Sequence, residues 1–347
     1  MKTKIFYLPF ILLIFILITS DFTLIAIIRK NLDIFTKKQK NYNHIEKSNI
    51  NLSDEFFKIK SVKRQIEAKK LSYIKTICGG RGKIGNALIM LNNLINICEK
   101  IICKNIIAPE GLHSLIKNPI YDKEYNITIF PSKYRKIIHV DIMLSRKEIF
   151  WFHYISKPHL MRLKIIREEV LKNIPKYESN LNDLYIHIRS GDIFLTNINS
   201  MYSQPPLCFY QKIINGNKYF NIYIVSNGHE NPIVDKLLQI YPKIKYMHGK
   251  IEFDISIIIN AYNLVMSFST FIGTLIHLNT NLKNLFIYEL RKSNIKNIRY
   301  IIHRMKPSPE YVKIMSKKWK KSKEQIDLML NEKCINSTLE SIFPNSY

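Results

Sequence analysis

The sequence lacks several short motifs that identify common nucleotide- and metal-binding proteins. Its 347 residues contain no C-x-x-C pair, no Asp-x-Asp pair and no G-x-x-x-x-G-K-[ST] loop. The first absence disfavours a zinc site with paired cysteines, and the last disfavours a P-loop kinase or sulfotransferase. The five cysteines cannot all pair within the chain. We expect Cys78 and Cys98 to be small buried apolar residues, and some cysteines to form disulfides if the chain enters an oxidising compartment.

Acidic residues are scarce relative to basic ones. The chain has 53 Lys and Arg residues against 27 Asp and Glu residues, which gives a net charge of +26. Such a surplus favours anionic partners, namely nucleic acid, a membrane surface or a phosphorylated substrate. The basic residues are mostly Lys dispersed among Asn and Ile, and no Arg-rich patch alternates with aromatic residues. We therefore expect no nucleic-acid partner and interpret the surplus mainly as a solvated surface.

The N-terminus carries a long apolar segment. Residues 1–4 are a short basic leader, residues 5–28 are almost wholly apolar, and residues 29–70 are polar and weakly patterned. A membrane-spanning helix needs about 20 apolar residues, so the sequence predicts a cytosolic tail, a transmembrane signal anchor and a stem. A cleaved signal peptide is the alternative, which the absence of a small-x-small cleavage site disfavours. The basic pair Arg29 and Lys30 argues mildly against an anchor that keeps the leader in the cytosol.

The first globular region, residues 71–178, begins with the pattern of a βαβ unit. A strand at Tyr73–Cys78 is followed by a glycine-rich turn, an apolar helix and a strand at Asn105–Ala108. Glycines in such a turn allow a ligand to approach the backbone, and the helix N–H groups then point at that ligand. The alternative is a turn that binds nothing. Residues 136–140 fit a further strand, and residues 158–173 fit a helix.

The second globular region, residues 179–300, opens on the stretch Leu-Tyr-Ile-His-Ile-Arg-Ser-Gly-Asp at Leu184–Asp192. Polar and apolar residues alternate there and predict a strand that ends at the Ser-Gly-Asp turn. In an α/β fold, the carboxyl end of such a strand faces the crevice where ligands bind. His187 and Arg189 would share one face of the strand, with Asp192 just beyond its end. The alternative is an edge strand with a solvated polar face.

A second group of polar residues follows in the same region. Asp254 precedes an apolar helix predicted for residues 255–262, and Ser269 and Thr270 stand at the predicted start of the next helix. Their hydroxyls can cap that helix, and its free N–H groups also form an anion site. Capping alone is the simpler explanation, but an arginine at a nearby strand end favours phosphate binding. Residues 301–347 are basic and predict a helical tail.

Three elements in this order resemble the α1,2-, α1,6- and protein O-fucosyltransferase superfamily. They are the glycine-rich turn at Gly79–Asn86, the His-x-Arg-x-Gly-Asp stretch from His187 to Asp192, and the run from Asp254 to Phe271. The last run combines an acidic residue, an apolar helix, a short strand and a Ser/Thr-rich turn. Together the three elements cover roughly residues 75–280.

The sequence departs from the family at several positions. Lys83 and Ile84 separate Gly82 from the Gly-Asn pair that follows it, and Ser190 stands where many members have a second arginine. The turn Ser-Asn-Gly at residues 226–228 replaces an acidic turn that is common in the α1,2 enzymes, and no tryptophan pair follows the Ser/Thr-rich turn. These departures leave the linkage open, although an α1,2 linkage is favoured over α1,6.

The resemblance implies a GT-B-like α/β fold, in which two Rossmann-like domains face a cleft. It also implies transfer of fucose from GDP-fucose to a glycan hydroxyl, with inversion and without a metal or further cofactor. A type II protein of the Golgi or secretory-pathway membrane with a lumenal catalytic domain is expected, and its sequence offers glycosylation acceptors at Asn51, Asn126 and Asn336. The alternatives are a GT-B-fold protein that binds glycans without turnover and a transferase that uses another nucleotide sugar.

The resemblance also assigns roles to individual residues. Arg189 would neutralise the β-phosphate and Asp192 would orient the loop that carries it, so these two are the predicted catalytic residues. His187 and Asp254 would position the guanosine, with Asp254 accepting hydrogen bonds from the base. Further contacts with the nucleotide sugar are predicted from the glycine-rich turn and from the Ser/Thr-rich turn. The residues are Gly80, Gly82, Asn86, Ser269 and Thr270.

Overall fold

The computed structural model describes residues 74–100, 103–144, 160–195, 203–290, 299–315, 319–334 and 337–344. The predicted cytosolic tail, signal anchor and stem lie outside these residues, as do the acceptor sequences at Asn51 and Asn336. Within the described ranges, no helix combines the length and the apolar character that crossing a membrane requires.

The first sheet lies in the N-terminal half and is mainly parallel. Its strand order is β3–β4–β2–β1–β5, and the β3–β4 pair is antiparallel. The four residues of β1 are all buried, as expected of a parallel strand covered on both faces. The strands are β1 (Thr76–Gly79), β2 (Asn105–Ile107), β3 (Ile120–Asp122), β4 (Ile127–Phe130) and β5 (Ile142–Leu144).

The second sheet has the strand order β12–β11–β10–β9–β6–β7–β8. Each neighbouring pair is parallel except β11–β12. The strands are β6 (Leu184–His187), β7 (Ile222–Val225), β8 (Lys245–Met247), β9 (Asn263–Met266), β10 (Asn284–Tyr288), β11 (Ile301–Met305) and β12 (Leu339–Ile342). Because β11 and β12 extend this sheet, it does not end at residue 300, and residues 301–347 are more than the helical tail that the sequence predicts.

Helices connect most of the parallel strands. The described α-helices are α1 (Ile84–Lys100), α2 (Arg167–Asn173), α3 (Leu207–Gly216), α4 (Pro232–Ile240), α5 (Ile251–Asn260), α6 (Thr270–Leu275), α7 (Pro309–Met315) and α8 (Lys323–Asn331). Single 3-10 turns or short 3-10 helices span Glu110–Leu112, Ser132–Lys136, Leu160–Ile166 and Gly191–Ile193. The predicted helix at residues 158–173 thus begins as a 3-10 helix and becomes α-helical only at Arg167.

Helix α1 lies at the centre of the hydrophobic core. Leu88, Leu91, Leu94 and Ile95 are fully buried, because this helix is apolar on most of its faces. The core cluster that contains them also includes residues of the second sheet and its helices, such as Leu264. The two sheets therefore share one continuous core, and α1 packs against α6 of the second half.

The second sheet changes direction at β6. From β6 the chain continues through β7 and β8 on one side, and it then returns to place β9, β10 and β11 on the other. The carboxyl ends of β6 and β9 therefore lie side by side at the point where the strand order reverses. In open α/β sheets, ligands bind in the crevice outside the strands at such a point.

The structure corrects one expectation about the strands of the first half. The predicted strand at residues 136–140 is absent, because a 3-10 helix ends at Lys136, and Ile137 is 79% exposed. The next strand along the chain is instead β5, which starts only after Asp141. The carboxylate of Asp141 accepts hydrogen bonds from the backbone N–H groups of Lys75 and Thr76 and so fixes the entry into β5 beside β1.

Two disulfides link four of the five cysteines. Cys98 pairs with Cys103, and Cys208 pairs with Cys334 over a separation of 126 residues. Cys78 is buried and unpaired, as expected from the sequence. Cys98 is buried as expected, but it is not simply an apolar residue, because its sulfur bonds to Cys103.

Candidate functional site

A cavity of about 630 Å³ opens at the carboxyl ends of β6 and β7, between the two halves of the chain. The first half contributes the segment Lys83–Asn86 and the residues that follow β2, and the second half contributes the ends of β6 and β7 and the starts of α5 and α6. Six of the predicted site residues line it, namely Asn86, His187, Arg189, Asp192, Asp254 and Thr270. Gly80, Gly82 and Ser269 are not among its lining residues.

His187 is the last residue of β6 and is 7% exposed. Its Nδ1 atom lies 2.7 Å from the hydroxyl oxygen of Ser267, just after β9, so this contact joins the two strands where the sheet reverses direction. Burial, and secondarily the charge of Arg189, lowers the pKa of His187 to about 3. The imidazole is therefore neutral at physiological pH and can act as a hydrogen-bonding ring but not as a cation.

Arg189 lies two residues beyond the end of β6, and its side chain is about one-fifth exposed. Its Nη2 atom donates to Oδ1 of Asp192 at 2.5 Å. The other oxygen of that carboxylate, Oδ2, accepts from Lys83 Nζ at 2.8 Å. Burial alone would raise the pKa of Asp192, but the hydrogen bonds and charges of Lys83 and Arg189 outweigh that effect and lower it. Asp192 is thus a carboxylate bound between two cations, one from each half of the chain.

The backbone of the Arg189–Gly191 loop is fixed from the start of α4. Asn231 donates its side-chain N–H to the Arg189 carbonyl at 3.0 Å, and Glu230 accepts from the Ser190 hydroxyl at 2.8 Å and from the Gly191 N–H at 3.1 Å. Gly191 has φ of +65°, a conformation that favours glycine. The sequence analysis missed Glu230 and Asn231, although Asn before Pro232 is a recognisable helix-capping signal, and Asn231 does cap α4 through the Ile233 N–H.

Asp254 is an acidic side chain that lines the cavity and is only 6% exposed. Its Oδ1 atom is buried, and no group of the described residues forms a hydrogen bond with it. Burial raises the pKa of Asp254 to about 7, and the nearby charge of His248 opposes that shift. The expectation that Asp254 precedes its helix is wrong, since α5 begins at Ile251 and its N-cap position is Lys250. Asp254 therefore does not cap α5, and its unpaired oxygen marks a place for a donor from a ligand.

Ser269 and Thr270 hold the start of α6 in place. The Ser269 hydroxyl accepts from the Phe271 N–H at 3.2 Å, which is ordinary N-capping. The Thr270 hydroxyl donates to Oδ1 of Asn86 at 3.1 Å and so connects α6 with α1. Helix α6 has only six residues. The two hydroxyls, which were predicted to contact phosphate, therefore both have hydrogen-bond partners within the protein.

The glycines of the first turn make close contacts with protein backbone. Gly80, Gly82 and Gly85 have the G-x-G-x-x-G spacing of dinucleotide-binding turns. A methyl group at Gly85, however, would lie 2.5 Å from the backbone nitrogen of Phe271, and one at Gly111 would lie 1.8 Å from the Gly82 carbonyl oxygen. The space that glycine leaves is filled by neighbouring chain segments. Gly80 and Gly82 themselves do not line the cavity, and the approach of a ligand to them stays a prediction.

Acidic and imidazole groups do not cluster for metal binding in the described residues. No three His, Cys, Asp or Glu side chains there come together in an arrangement that would hold an ion. The charges that line the cavity near Arg189 are instead Lys83 and the carboxylate of Asp192.

Comparison with known proteins gives no family assignment. No protein-family model and no curated protein matches the chain. Among solved structures, E. coli heptosyltransferase WaaC with ADP has 11% identity and a TM-score of 0.37, over 62% of this chain and 88% of that one. NodZ alpha-1,6-fucosyltransferase soaked with GDP-fucose has 8% identity and a TM-score of 0.33, over 59% and 92%. POFUT1 in complex with GDP has 8% identity and a TM-score of 0.31, over 59% and 94%. At these scores, the likenesses carry no argument about this chain.

Proposed function

We propose that this protein is a GT-B-type glycosyltransferase that transfers fucose from GDP-fucose to a hydroxyl of a glycan, with inversion at the anomeric carbon. The observation that carries the proposal is the pairing of two unlike groups in one cavity. Arg189 supplies a planar cation at the end of β6, and Asp254 supplies a buried carboxyl oxygen without a donor. A nucleoside diphosphate sugar offers complementary groups to both, because its phosphates are anionic and its base carries N–H donors.

Arg189 suits the diphosphate. Its guanidinium presents several N–H donors in a fixed fork, which matches phosphate oxygens better than the point charge of a lysine does. When the bond between sugar and diphosphate breaks, negative charge develops on the leaving phosphate oxygen. A cation already oriented at that position lowers the barrier, because no reorganisation is needed during the reaction. Asp192, which binds Arg189 at 2.5 Å, orients the guanidinium.

Asp254 suits guanine in particular. Guanine presents N1–H and an exocyclic amine side by side, and a carboxylate can accept from both. Adenine and uracil do not offer that pair of adjacent donors. A buried oxygen without a partner favours the ligand that satisfies it and rejects ligands that leave it unpaired. His187, neutral and held by Ser267, supplies a further hydrogen-bonding group that lines the cavity.

The reaction itself is a single displacement in this proposal. The acceptor oxygen attacks the anomeric carbon from the face opposite the diphosphate, the bond to the β-phosphate oxygen breaks, and the electron pair leaves with GDP. The hydroxyl proton must pass to a base. No metal is required, because protein cations take the role that a divalent ion has in Asp-x-Asp enzymes. An α1,2 linkage is favoured over α1,6, and the enzyme is proposed to act in the Golgi or secretory-pathway lumen as a type II membrane protein.

The experiment is a donor panel with the full-length protein in detergent. GDP-fucose, other GDP-sugars, UDP-sugars and ADP-sugars are offered with a glycan array, and both sugar transfer and donor hydrolysis are measured. Transfer of fucose from GDP-fucose supports the proposal. Transfer from a different nucleotide sugar would favour the alternative transferase, and binding of glycans with neither transfer nor hydrolysis would favour a non-catalytic glycan-binding protein.

A further inference from the structure

His113 follows the 3-10 turn Glu110–Leu112 after β2, in the first half of the chain. It is exposed, and it lines the same cavity as Arg189 together with its neighbours Gly111 and Ser114. No motif surrounds His113, so nothing in its local sequence singles it out. Its position, on the first-half wall of a cavity whose predicted donor-binding groups belong mainly to the second half, is visible only in the folded chain.

One hydrogen bond fixes the protonation pattern of the His113 ring. Its Nδ1 atom lies 3.0 Å from the carbonyl oxygen of Glu110. A carbonyl oxygen can only accept, so Nδ1 carries the proton in this contact. In the neutral ring, Nε2 is then the unprotonated nitrogen with an available lone pair. This is the tautomer that a general base needs.

The turn that carries His113 is held firmly. Glu110 forms ion pairs with Arg81 at 2.7 Å and with Arg135 at 3.1 Å. Leu112 is 1% exposed and anchors the turn in the core. Gly111 fits closely against the carbonyl group of Gly82. The backbone oxygen that orients the imidazole therefore has a fixed position relative to the cavity.

Other proton acceptors that line the cavity are already bound within the protein or belong to the second half, which supplies most of the proposed contacts to the nucleotide sugar. Asp192 is bound by two cations, and His187 is buried and bonded to Ser267. Glu252 and Asp254 belong to α5 in the second half. Among the described lining residues of the first half, His113 is the one whose ring offers an unprotonated nitrogen, Nε2, to a substrate hydroxyl.

We propose that His113 is the general base that deprotonates the acceptor hydroxyl. The inference rests on the proposed glycosyl transfer and adds its missing proton acceptor. As the acceptor oxygen bonds to the anomeric carbon, its proton passes to Nε2 of His113, while the bond between that carbon and the phosphate oxygen breaks and its electron pair leaves with the nucleoside diphosphate. The resulting imidazolium keeps its Nδ1–H bond to the Glu110 carbonyl and later loses the Nε2 proton to water.

The test compares His113→Gln and His113→Ala with the full-length wild type. His139→Gln is the matched control, because His139 is 87% exposed and does not line the cavity. We expect both His113 variants to bind GDP with unchanged affinity and to lose about 10²- to 10⁴-fold in kcat for transfer, the usual contribution of general-base catalysis. Added imidazole should restore part of the rate of His113→Ala, and the control should transfer at the wild-type rate.

A pH profile separates this role from a structural one. The turn that carries His113 holds Glu110 with its partners Arg81 and Arg135, and the other charged side chains that line the cavity are Lys83, Arg189, Asp192, Glu252 and Asp254. At saturating donor, kcat of the wild type should fall on the acid side, where a general base no longer accepts a proton, and this limb should disappear in His113→Gln. A wild-type rate in His113→Gln, or an unchanged acid limb, overturns the base role while the proposed transfer stands. If the wild type transfers sugar from no donor, the proposed function fails and this inference fails with it.

Discussion

Thr270 donates its hydroxyl hydrogen to Oδ1 of Asn86 across 3.1 Å, and this bond joins the first turn of α6 to the first turn of α1. The two helix starts approach closely because Gly85 has no side chain between them. Lys83 bridges the same two halves nearby through Asp192. The glycine-rich turn therefore sets the distance between the halves, and with it the width of the cavity.

Gly85→Ala should destabilise the protein. The added methyl group would lie 2.5 Å from the backbone nitrogen of Phe271, which cannot move without shifting α6. Overpacking of this kind costs about 1–3 kcal/mol of unfolding free energy. Gly216→Ala is the matched control, because a methyl group there meets nothing within 4 Å. Denaturant unfolding measures both variants, and equal stability of the two would contradict the close contact.

Arg189→Lys should lose about 10²-fold or more in turnover, as expected when one preorganised charge stabiliser is removed. The substitution keeps the charge but not the forked geometry, which is not conservative at such a site. Arg162→Lys is a suitable control, because Arg162 pairs with Glu99 and does not line the cavity. Initial rates of fucose transfer measure both variants. Near-normal transfer by Arg189→Ala would refute the assigned role.

The alternation around His187 was enough to predict strand β6 and the turn that follows it, because that information is local, but the strand ends at His187 and does not include Arg189 as expected. The start of α5 was misjudged because apolar Ile251 and Phe253 belong to the same helix as Asp254, and no strong capping residue marks its beginning. Strands β11 and β12 were missed because their stability comes from pairing with distant chain segments. Local patterns carry little information about such pairing.

The remaining site residues depend on tertiary contacts. Lys83, His113 and Glu230 meet their partners only after α1, β2 and α4 have been placed beside β6. The roles of the glycines also depend on packing, because a sequence does not reveal whether a ligand or a neighbouring helix fills the space. For Gly85 the neighbour is Phe271.

Transfer activity should survive excess EDTA. The chain contains no Asp-x-Asp pair, and the proposed mechanism assigns the stabilisation of the leaving diphosphate to Arg189, which does not depend on a divalent ion. Rates are measured in EDTA-treated enzyme before and after the addition of manganese. Complete inhibition that manganese reverses would contradict the metal-independent mechanism.

The full-length product should remain in the membrane fraction after carbonate washing. Residues 5–28 are apolar enough to insert, and no cleavage site follows them. Asn126 should carry a glycan if the globular part is lumenal, since it lies on an exposed turn between β3 and β4. Glycosidase digestion and an Asn126→Gln variant measure this. Recovery of a soluble chain that lacks about 20 N-terminal residues, one membrane span, would indicate a cleaved signal instead.

Folding favours the neutral form of the buried Asp254 carboxyl, whereas the proposed binding of guanine favours its charged form. Its pKa is raised to about 7 in the folded protein from an ordinary value near 3.8. Between these values the folded state binds more protons than the unfolded state, so this group lowers stability as pH rises from about 4 to 7. The proposed binding of guanine would instead need the charged form, which accepts two hydrogen bonds. Near neutral pH the Asp254 carboxyl therefore lowers the stability of the protein, and a ligand that donates hydrogen bonds to it would offset this cost.

Asp254→Asn should change stability and nucleotide preference in different directions. Removing the buried charge should raise the melting temperature at pH 8 and change it little at pH 4, where the aspartic acid is already neutral. The amide cannot accept both donors of guanine, so GDP affinity should fall, and GDP should lose its advantage over UDP and ADP. In the wild type, GDP affinity should rise between pH 6 and pH 8, around the pKa of about 7. Calorimetric titration with the three nucleotides measures these effects, with Glu252→Gln on the same helix as a comparison. Equal affinities of the wild type for GDP, UDP and ADP would rule out the guanine-binding role of Asp254.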